Sequence, residues 1–420
     1  MRTRAAVLSG KEKIFIREFE LPKIQEEELL VKVISNGICL STYKAAKRGE
    51  EHKRVPQNIS EHPVITGHEF AGIIVKVGEK LKNKYKVGQK FVLQPAMGLE
   101  SGYSAGYSYE YFGGNATYCI IPKIAIDLDC VLPYDGKFFA AASLAEPMCC
   151  IIGAYHATYH TTPYVYEHEM GLKENGSVAL LGCAGPMGLG AIDYALNGPY
   201  KSKRIVVVDI DEKRLAHAEK LLSVETAKEK GVDLVYLNTK NIDAHKILLE
   251  INEGKGYDEV FVYAANEKLV ELADDILGND GCLNFFAGPT NEKFKVPFNF
   301  YNVHYESTHI VGTSGGSEDD MRESLKLTAL GKINPAYMVT HIGGLNAVPE
   351  TILNLPNIPG GKKLVYPHIE MDLTAISDFE KLGKSNEMFK KLSEICKAHN
   401  NLWCEEAEEF LLSYMGVTLD

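Results

Sequence analysis

Apolar and polar positions alternate in short runs over residues 1–35, and the same texture returns over residues 64–95. Ile14-Phe15-Ile16 and Leu29-Leu30-Val31-Lys32-Val33-Ile34 read as strands, split by Pro22 and an acidic turn. Phe70-Ala71-Gly72-Ile73-Ile74-Val75-Lys76-Val77-Gly78 and Val87-Gly88-Gln89-Lys90-Phe91-Val92-Leu93 read the same way. Short strands punctuated by glycine predict a small β-barrel. Residues 96–114, rich in Gly, Ser and Tyr, read as a loop, and Tyr118-Cys119-Ile120-Ile121-Pro122 as one more strand.

Near residue 140 the pattern changes. An Ala-rich, helix-prone stretch, Ala140 to Tyr159, leads into the apolar strand Ser177–Gly182. Beyond it the chain alternates. Helices are predicted at Leu189–Leu196, Glu212–Leu222 and Glu267–Leu277, and strands at Arg204–Asp209, Leu234–Leu237, Glu259–Ala264, Cys282–Ala287 and His309–Thr313. Apolar, β-branched strands alternating with helices imply a parallel sheet covered on both faces. A helix near Asp319–Leu330 and a strand near Leu364–Tyr366 follow, and from Ala375 to Tyr414 the chain is charged and helical. Phe379, Leu382, Met388, Phe389 and Leu392 have the spacing of helices that dock on the body or on a partner subunit.

A formal net charge of −11 argues against general nucleic-acid or anionic-membrane binding, both of which favour basic surfaces. No apolar run is long enough to span a membrane. The basic start at Met1 gives way to Ser9-Gly10-Lys11-Glu12-Lys13, so no signal peptide is expected. Nine scattered cysteines fit a reduced, cytoplasmic protein and not a disulfide scaffold.

Two stretches carry chemistry. Leu181-Gly182-Cys183-Ala184-Gly185-Pro186-Met187-Gly188-Leu189 joins a predicted strand to a predicted helix. A dinucleotide turn needs glycine for a tight bend, for close approach of the pyrophosphate and for helix–strand packing. Gly185 and Gly188 fill the second and third places, while Cys183 stands where the first is usual and Gly182 precedes it. With Pro186 and Met187 in the turn, the pyrophosphate would meet the N-terminus of the following helix, where free N–H groups favour anions. Asp209 ends the next strand at close to the expected spacing of about 20 residues. It suits the ribose 2′-hydroxyl and repels a 2′-phosphate, which favours NAD(H) over NADP(H), although Arg214 and Lys213 lie nearby.

The other stretch is Asn36-Gly37-Ile38-Cys39-Leu40-Ser41-Thr42 with Gly67-His68-Glu69. Cys39, His68 and Glu69 are the ligand types of a catalytic zinc. Glu146, set in apolar Leu144-Ala145-Glu146-Pro147-Met148, is a carboxylate that needs a partner. Taken singly, each has a structural alternative: a buried small cysteine, a satisfied His–Glu pair. Their company with a dinucleotide turn is what favours a metal.

With Gly67-His68-Glu69-Phe70-Ala71-Gly72, Val77-Gly78, Gly88-Gln89-Lys90-Phe91-Val92, Glu146-Pro147 and Gly185-Pro186-Met187-Gly188, the chain resembles the zinc-dependent medium-chain dehydrogenases over about residues 1–370. Further similarity in Glu146-Pro147-Met148, in Gly185 to Ala195 and in Asn401-Leu402-Trp403 is to the branch that contains L-sorbose 1-phosphate reductase. The resemblance implies an α/β protein: a GroES-like β-barrel catalytic domain (residues 1–153 and 316–371), an inserted Rossmann NAD-binding domain (154–315) and a helical C-terminal extension (372–420). It implies one catalytic zinc on Cys39, His68 and Glu146. Glu69 would be an exchangeable ligand or a group behind the ligands, and Ser41 the proton-relay hydroxyl. Residues 91–118 lack cysteine, so the structural zinc of many members should be absent, and Thr42 stands where the family usually has Asp.

The reading is therefore an NAD(H)- and zinc-dependent oxidoreductase of a polyol or ketose phosphate, forming a homo-dimer or tetramer as is usual in the family. Lys44, Lys47 and Arg48, in a basic segment that also holds Lys53 and Arg54, are candidates to hold a substrate phosphate; a solvated basic face is the alternative. His156 and His160 are spaced as metal ligands on one helical face, though a structural role is the simpler reading. Tyr103, Tyr107, Tyr109 and Tyr111 are candidates to line a substrate cleft. Competing functions are a dehydrogenase of an unphosphorylated polyol or amino alcohol, and a non-catalytic NAD-binding sensor or subunit.

Overall fold

The computed structural model describes residues 1–419 and divides into two compact units. One comprises Met1–Glu146 and the chain from Met338 onward; the other is Pro147–Tyr337.

The first unit is built on the alternating strands. Leu29–Ile38 pairs antiparallel with Glu69–Val77, Tyr118–Ile121 and Lys362–Tyr366 inside an eight-stranded sheet. A three-stranded sheet joins Ile14–Glu20, Arg2–Leu8 and Val64–Ile65. Alternation sorts the side chains: Leu29, Val31 and Val33 enter one core with Phe70, Ile74, Phe91 and Leu93, while Leu30 packs in a second cluster with Leu21 and Ile120. The strand Arg2–Leu8 and the helix Leu40–Arg48 are not among the predicted elements. Ala45 and Ala46 bury one face of that helix, and its basic residues hide the signal in the sequence.

The second unit holds a six-stranded, all-parallel sheet. Its order is Asp233–Asn238, Arg204–Asp209, Ser177–Leu181, Tyr257–Val262, Leu277–Phe285, His309–Gly312. The strand order reverses at Ser177–Leu181, the doubly wound Rossmann arrangement, in which ligands bind beyond the carboxyl end of the strands at that reversal. The predicted helix from Ala140 to Tyr159 is broken into Phe139–Ser143 and Ala145–Ala157. Pro147 explains the break, because its ring clashes with the carbonyl four residues back.

The two compact units part at residues 146/147 and 337/338. The helix Glu318–Ala329 stays with the parallel sheet because Asp320 accepts from His156 Nδ1 at 2.6 Å and Glu323 from the Tyr194 hydroxyl at 2.6 Å. The amphipathic C-terminal helices Phe379–Leu382, Glu387–Ala398 and Glu405–Tyr414 belong to the first unit. Among the described residues no helix is long and apolar enough to cross a membrane.

One buried carboxylate fastens that extension. Glu408 accepts from the backbone N–H groups of Phe139 (2.6 Å) and Ala140 (2.8 Å) and from the Tyr366 hydroxyl (2.7 Å), which in turn accepts from Trp403 Nε1 at 2.6 Å. Burial raises the Glu408 carboxyl to about 7 against its donors. The folded chain thus holds a proton that the unfolded chain, with an ordinary value near 4.5, has lost. This group's contribution to stability falls by about 3 kcal/mol as pH rises from 4.5 to 7. Chemical denaturation across that range should show Glu408→Gln lacking this fall. Glu408→Ala, which orphans three buried donors, should lose about 2–4 kcal/mol at every pH.

Candidate active site

Cys39 follows the strand Leu29–Ile38 and is the N-cap of the helix Leu40–Arg48. Its extended backbone and lack of a capping side-chain bond leave the sulfur outside the helix. Glu69 begins the strand Glu69–Val77, paired with Gly37 across the ladder. That pairing explains the glycine: a Cβ on Gly37 would lie 2.1 Å from Glu69 Oε2. Gly67 bends the chain before His68 with φ of +90°, in the left-handed region that favours glycine.

These elements bring Cys39, His68 and Glu69 together, with one ligand atom of each within 4.8 Å of the others. Glu146, at the start of the helix Ala145–Ala157, is not in that close set. It acts on the same site through charge. Burial pushes its carboxyl up to about 7, and its charge raises the His68 imidazole against the effect of burial, which prevails and lowers it. Burial also pushes the Cys39 thiol up, against the pull of Lys362.

Lys362, absent from the candidates named above, is the group that organises Glu69. It ion-pairs with Glu69 Oε1 in full burial. Burial alone would raise the Glu69 carboxyl; Lys362 and His68 outweigh it and hold Glu69 below the usual carboxylate range. Glu69 Oε2 is buried and makes no hydrogen bond. A thiol, an imidazole and an unsatisfied carboxylate oxygen in one buried spot fit a divalent zinc ion. The sequence signal for Lys362 was faint: a lysine opening a strand that is otherwise buried.

A second layer surrounds this set. Tyr107 donates to Ser41 Oγ at 2.7 Å, and Ser41 donates to Cys39 Sγ at 3.0 Å. The Tyr107 ring stacks on His68, with centroids 4.9 Å apart, and its hydroxyl is 3.5 Å from Nε2. Thr42 Oγ1 lies 3.4 Å from His68 Nδ1, so the hydroxyl occupies the place behind the imidazole where Asp was expected. Of the four loop tyrosines, Tyr107 is the one in the site. Tyr103 and Tyr109 pack on each other, and Tyr111 on Phe19.

In the basic segment, Lys47 is ion-paired with Glu12 and is not a spare cation for a phosphate. Lys44 and Arg48 lie close enough, with Arg54 and Lys53, to help depress His52. His156 and His160 share no metal site. The helix ends at Ala157, His156 pairs with Asp320 and Glu323, and His160 pairs with Glu259.

In the second unit, Gly182 supplies the left-handed turn with φ of +66°, which frees Cys183 from that duty. A Cβ on Gly185 would meet nothing within 4 Å, leaving room for a pyrophosphate, whereas one on Gly188 would lie 1.7 Å from the Cys183 carbonyl oxygen. Pro186 and Met187 open the helix Pro186–Asn197. Asp209 is buried at the end of its strand; Oδ2 accepts from the Ala184 N–H in the turn at 3.0 Å, and Oδ1 from Ile210 N–H at 2.7 Å. Arg214 is tied to Asp211, 3.7 Å away.

The chain matches the zinc-binding dehydrogenase family over residues 186–329 and the alcohol dehydrogenase GroES-like domain over residues 25–130. It is 64% identical over 419 residues to mannitol-1-phosphate 5-dehydrogenase of Aliivibrio fischeri, covering 100% of this chain and 99% of that one. It is 40% identical over 413 residues to L-sorbose 1-phosphate reductase of Klebsiella pneumoniae, covering 98% of each. Its fold matches 2R,3R-butanediol dehydrogenase from Bacillus subtilis with a TM-score of 0.70 at 21% identity, over 87% of this chain and 99% of that one. The chain belongs to the zinc-dependent medium-chain polyol dehydrogenases. It is an oxidoreductase that uses zinc and a nicotinamide cofactor.

Removing one partner of a buried ion pair strands the other charge. Lys362→Met should lower the stability of zinc-depleted protein by about 3–5 kcal/mol in denaturant unfolding, and adding Glu69→Gln should recover most of that loss.

Proposed function

We propose that this enzyme interconverts a polyol phosphate and a ketose phosphate with NAD(H), using one zinc ion held by Cys39, His68 and the carboxylates Glu69 and Glu146. The observation that carries the metal assignment is the buried Glu69 Oε2, left without a partner beside Cys39 and His68. Relatives named for mannitol 1-phosphate and L-sorbose 1-phosphate support a phosphorylated substrate. When bound, the metal supplies a Lewis acid for the substrate oxygen and the nicotinamide supplies the hydride acceptor or donor.

The chain's own residues supply the rest. Ser41 Oγ, adjacent to Cys39 Sγ, relays the proton: in oxidation it accepts the substrate hydroxyl's proton as it passes its own on toward solvent, and in reduction the transfer runs the other way. Tyr107 keeps Ser41 in place through its 2.7 Å bond; burial raises the phenol, so it stays a donor at neutral pH. Lys362 fixes one oxygen of Glu69 and so presents the other to the site. Gly185 leaves room for the pyrophosphate at the helix Pro186–Asn197, and Gly188 lets that helix pack closely on the turn at Cys183. Asp209 puts its charge where a 2′-phosphate would fall, favouring NAD(H), and Arg214 is engaged by Asp211.

Two experiments test this reading. Elemental analysis should find one zinc per chain, largely lost in Cys39→Ser and His68→Ala together with turnover; full turnover in a zinc-free variant would sink the metal assignment. In steady-state kinetics Asp209→Ala should reduce the NAD-to-NADP ratio of kcat/KM by at least about tenfold. An unchanged ratio would remove Asp209 from cofactor selection.

A further inference from the structure

The loop that follows the helix Leu40–Arg48 places Arg54 against the active-site tyrosine. The Arg54 guanidinium carbon lies 5.1 Å from the centre of the Tyr107 ring. The hydroxyl at the other end of that ring bonds Ser41, and the ring face stacks on His68. Arg54 is therefore one aromatic ring away from the hydroxyl and the imidazole that flank the reacting oxygen. Its backbone is held on both sides: its N–H donates to His52 Nδ1 at 3.3 Å, and its carbonyl accepts from Ser108 Oγ at 2.6 Å.

Among the described residues no carboxylate pairs with the Arg54 guanidinium, whereas Lys47, a few residues earlier, is paired with Glu12. The local field is positive in a chain whose net charge is −11. His52, whose ring lies nearly parallel to that of Tyr107 with centroids 6.2 Å apart, shows it: burial and then Arg54, Arg48, Lys53 and Lys44 drive its imidazole down to about 4. A half-buried guanidinium with no anion of its own and a rigid backbone is suited to a dianion. Its planar fork meets two phosphate oxygens at once, which a lysine cannot do.

We propose that Arg54 is the specificity-determining residue that binds the phosphate of the substrate, seated on the Tyr107 ring beside Ser41. The proposal rests on the phosphorylated-substrate reading given above. It places the discriminating charge on the loop after the helix Leu40–Arg48, and not on Lys47 within that helix.

The test uses zinc-loaded enzyme with NADH and two ketoses, one phosphorylated and one free. Arg54→Gln should raise KM for the ketose phosphate by about 10- to 100-fold, the range expected for loss of a charge-assisted contact. Its kcat, its zinc content and the KM for the free ketose should each stay within about twofold of the wild type, because a free ketose carries no phosphate for Arg54 to hold. Arg54→Lys should recover part of the loss. Inorganic phosphate should compete with substrate in the wild type and not in Arg54→Gln. If the wild type prefers the phosphorylated ketose and Arg54→Gln keeps that preference, the assignment of Arg54 is overturned while the substrate reading stands. If the wild type makes no distinction between the two ketoses, the substrate reading falls and the role of Arg54 falls with it.

Discussion

The contact on which the first unit depends is the buried ion pair between Lys362 and Glu69. It joins the strands Glu69–Val77 and Lys362–Tyr366, which flank Leu29–Ile38 on either side, at the level of Gly37. A buried pair of this kind seldom gains stability over an apolar pair of the same volume. What it does here is directional. One carboxylate oxygen is spent on Lys362, and the other is left bare at the spot where Cys39 and His68 converge. Gly37 is part of the same device, since any side chain there would occupy the place of that oxygen. The placement of this charge and the glycine that makes room for it therefore set the ligand geometry together.

The C-terminal extension bears on the same residues from behind. Tyr366 lies on the strand that starts with Lys362, and it is clamped by Trp403 and Glu408. Glu408 also caps the helix Phe139–Ser143, which leads directly into Glu146. One buried carboxylate in the extension thus ties together the strand carrying Lys362 and the helix Phe139–Ser143 that precedes Glu146. This gives the extension a structural meaning within the catalytic unit, without any appeal to a partner subunit.

Much of this was legible in the residues. The apolar runs of Leu29 to Ile34 and of Phe70 to Gly78 foretold the central strands, which are buried along most of their length and not at every second position. The parallel sheet was legible for the same reason: its strands are buried on both faces and appear as unbroken apolar runs such as Ile205 to Val208. Gly182 was readable only in part. Its neighbour Cys183 occupies the usual glycine position, and only the backbone shows that Gly182 carries the positive φ in its stead. The helix Leu40–Arg48 escaped notice because its buried face is two alanines and a threonine, too small to outweigh its basic surface. Lys362 and Glu408 left little trace for a deeper reason. Each acts on residues more than two hundred positions away, and no local pattern announces that a lysine or a glutamate in a C-terminal segment is buried.

The same limit explains why the basic segment looked like one cluster in the sequence and is two kinds of charge in space. Lys47 and Arg54 are seven positions apart. One is spent on Glu12, while the other lies on the ring that bonds Ser41. Counting cations along the chain cannot separate them, because the difference lies in which anions and rings the fold brings to each. Net charge in a segment measures attraction at long range, which salt screens within about 10 Å. Selectivity for a phosphate depends on which guanidinium is held in place and left unpaired; His52 and Ser108 hold the Arg54 backbone, and its guanidinium lies against the Tyr107 ring.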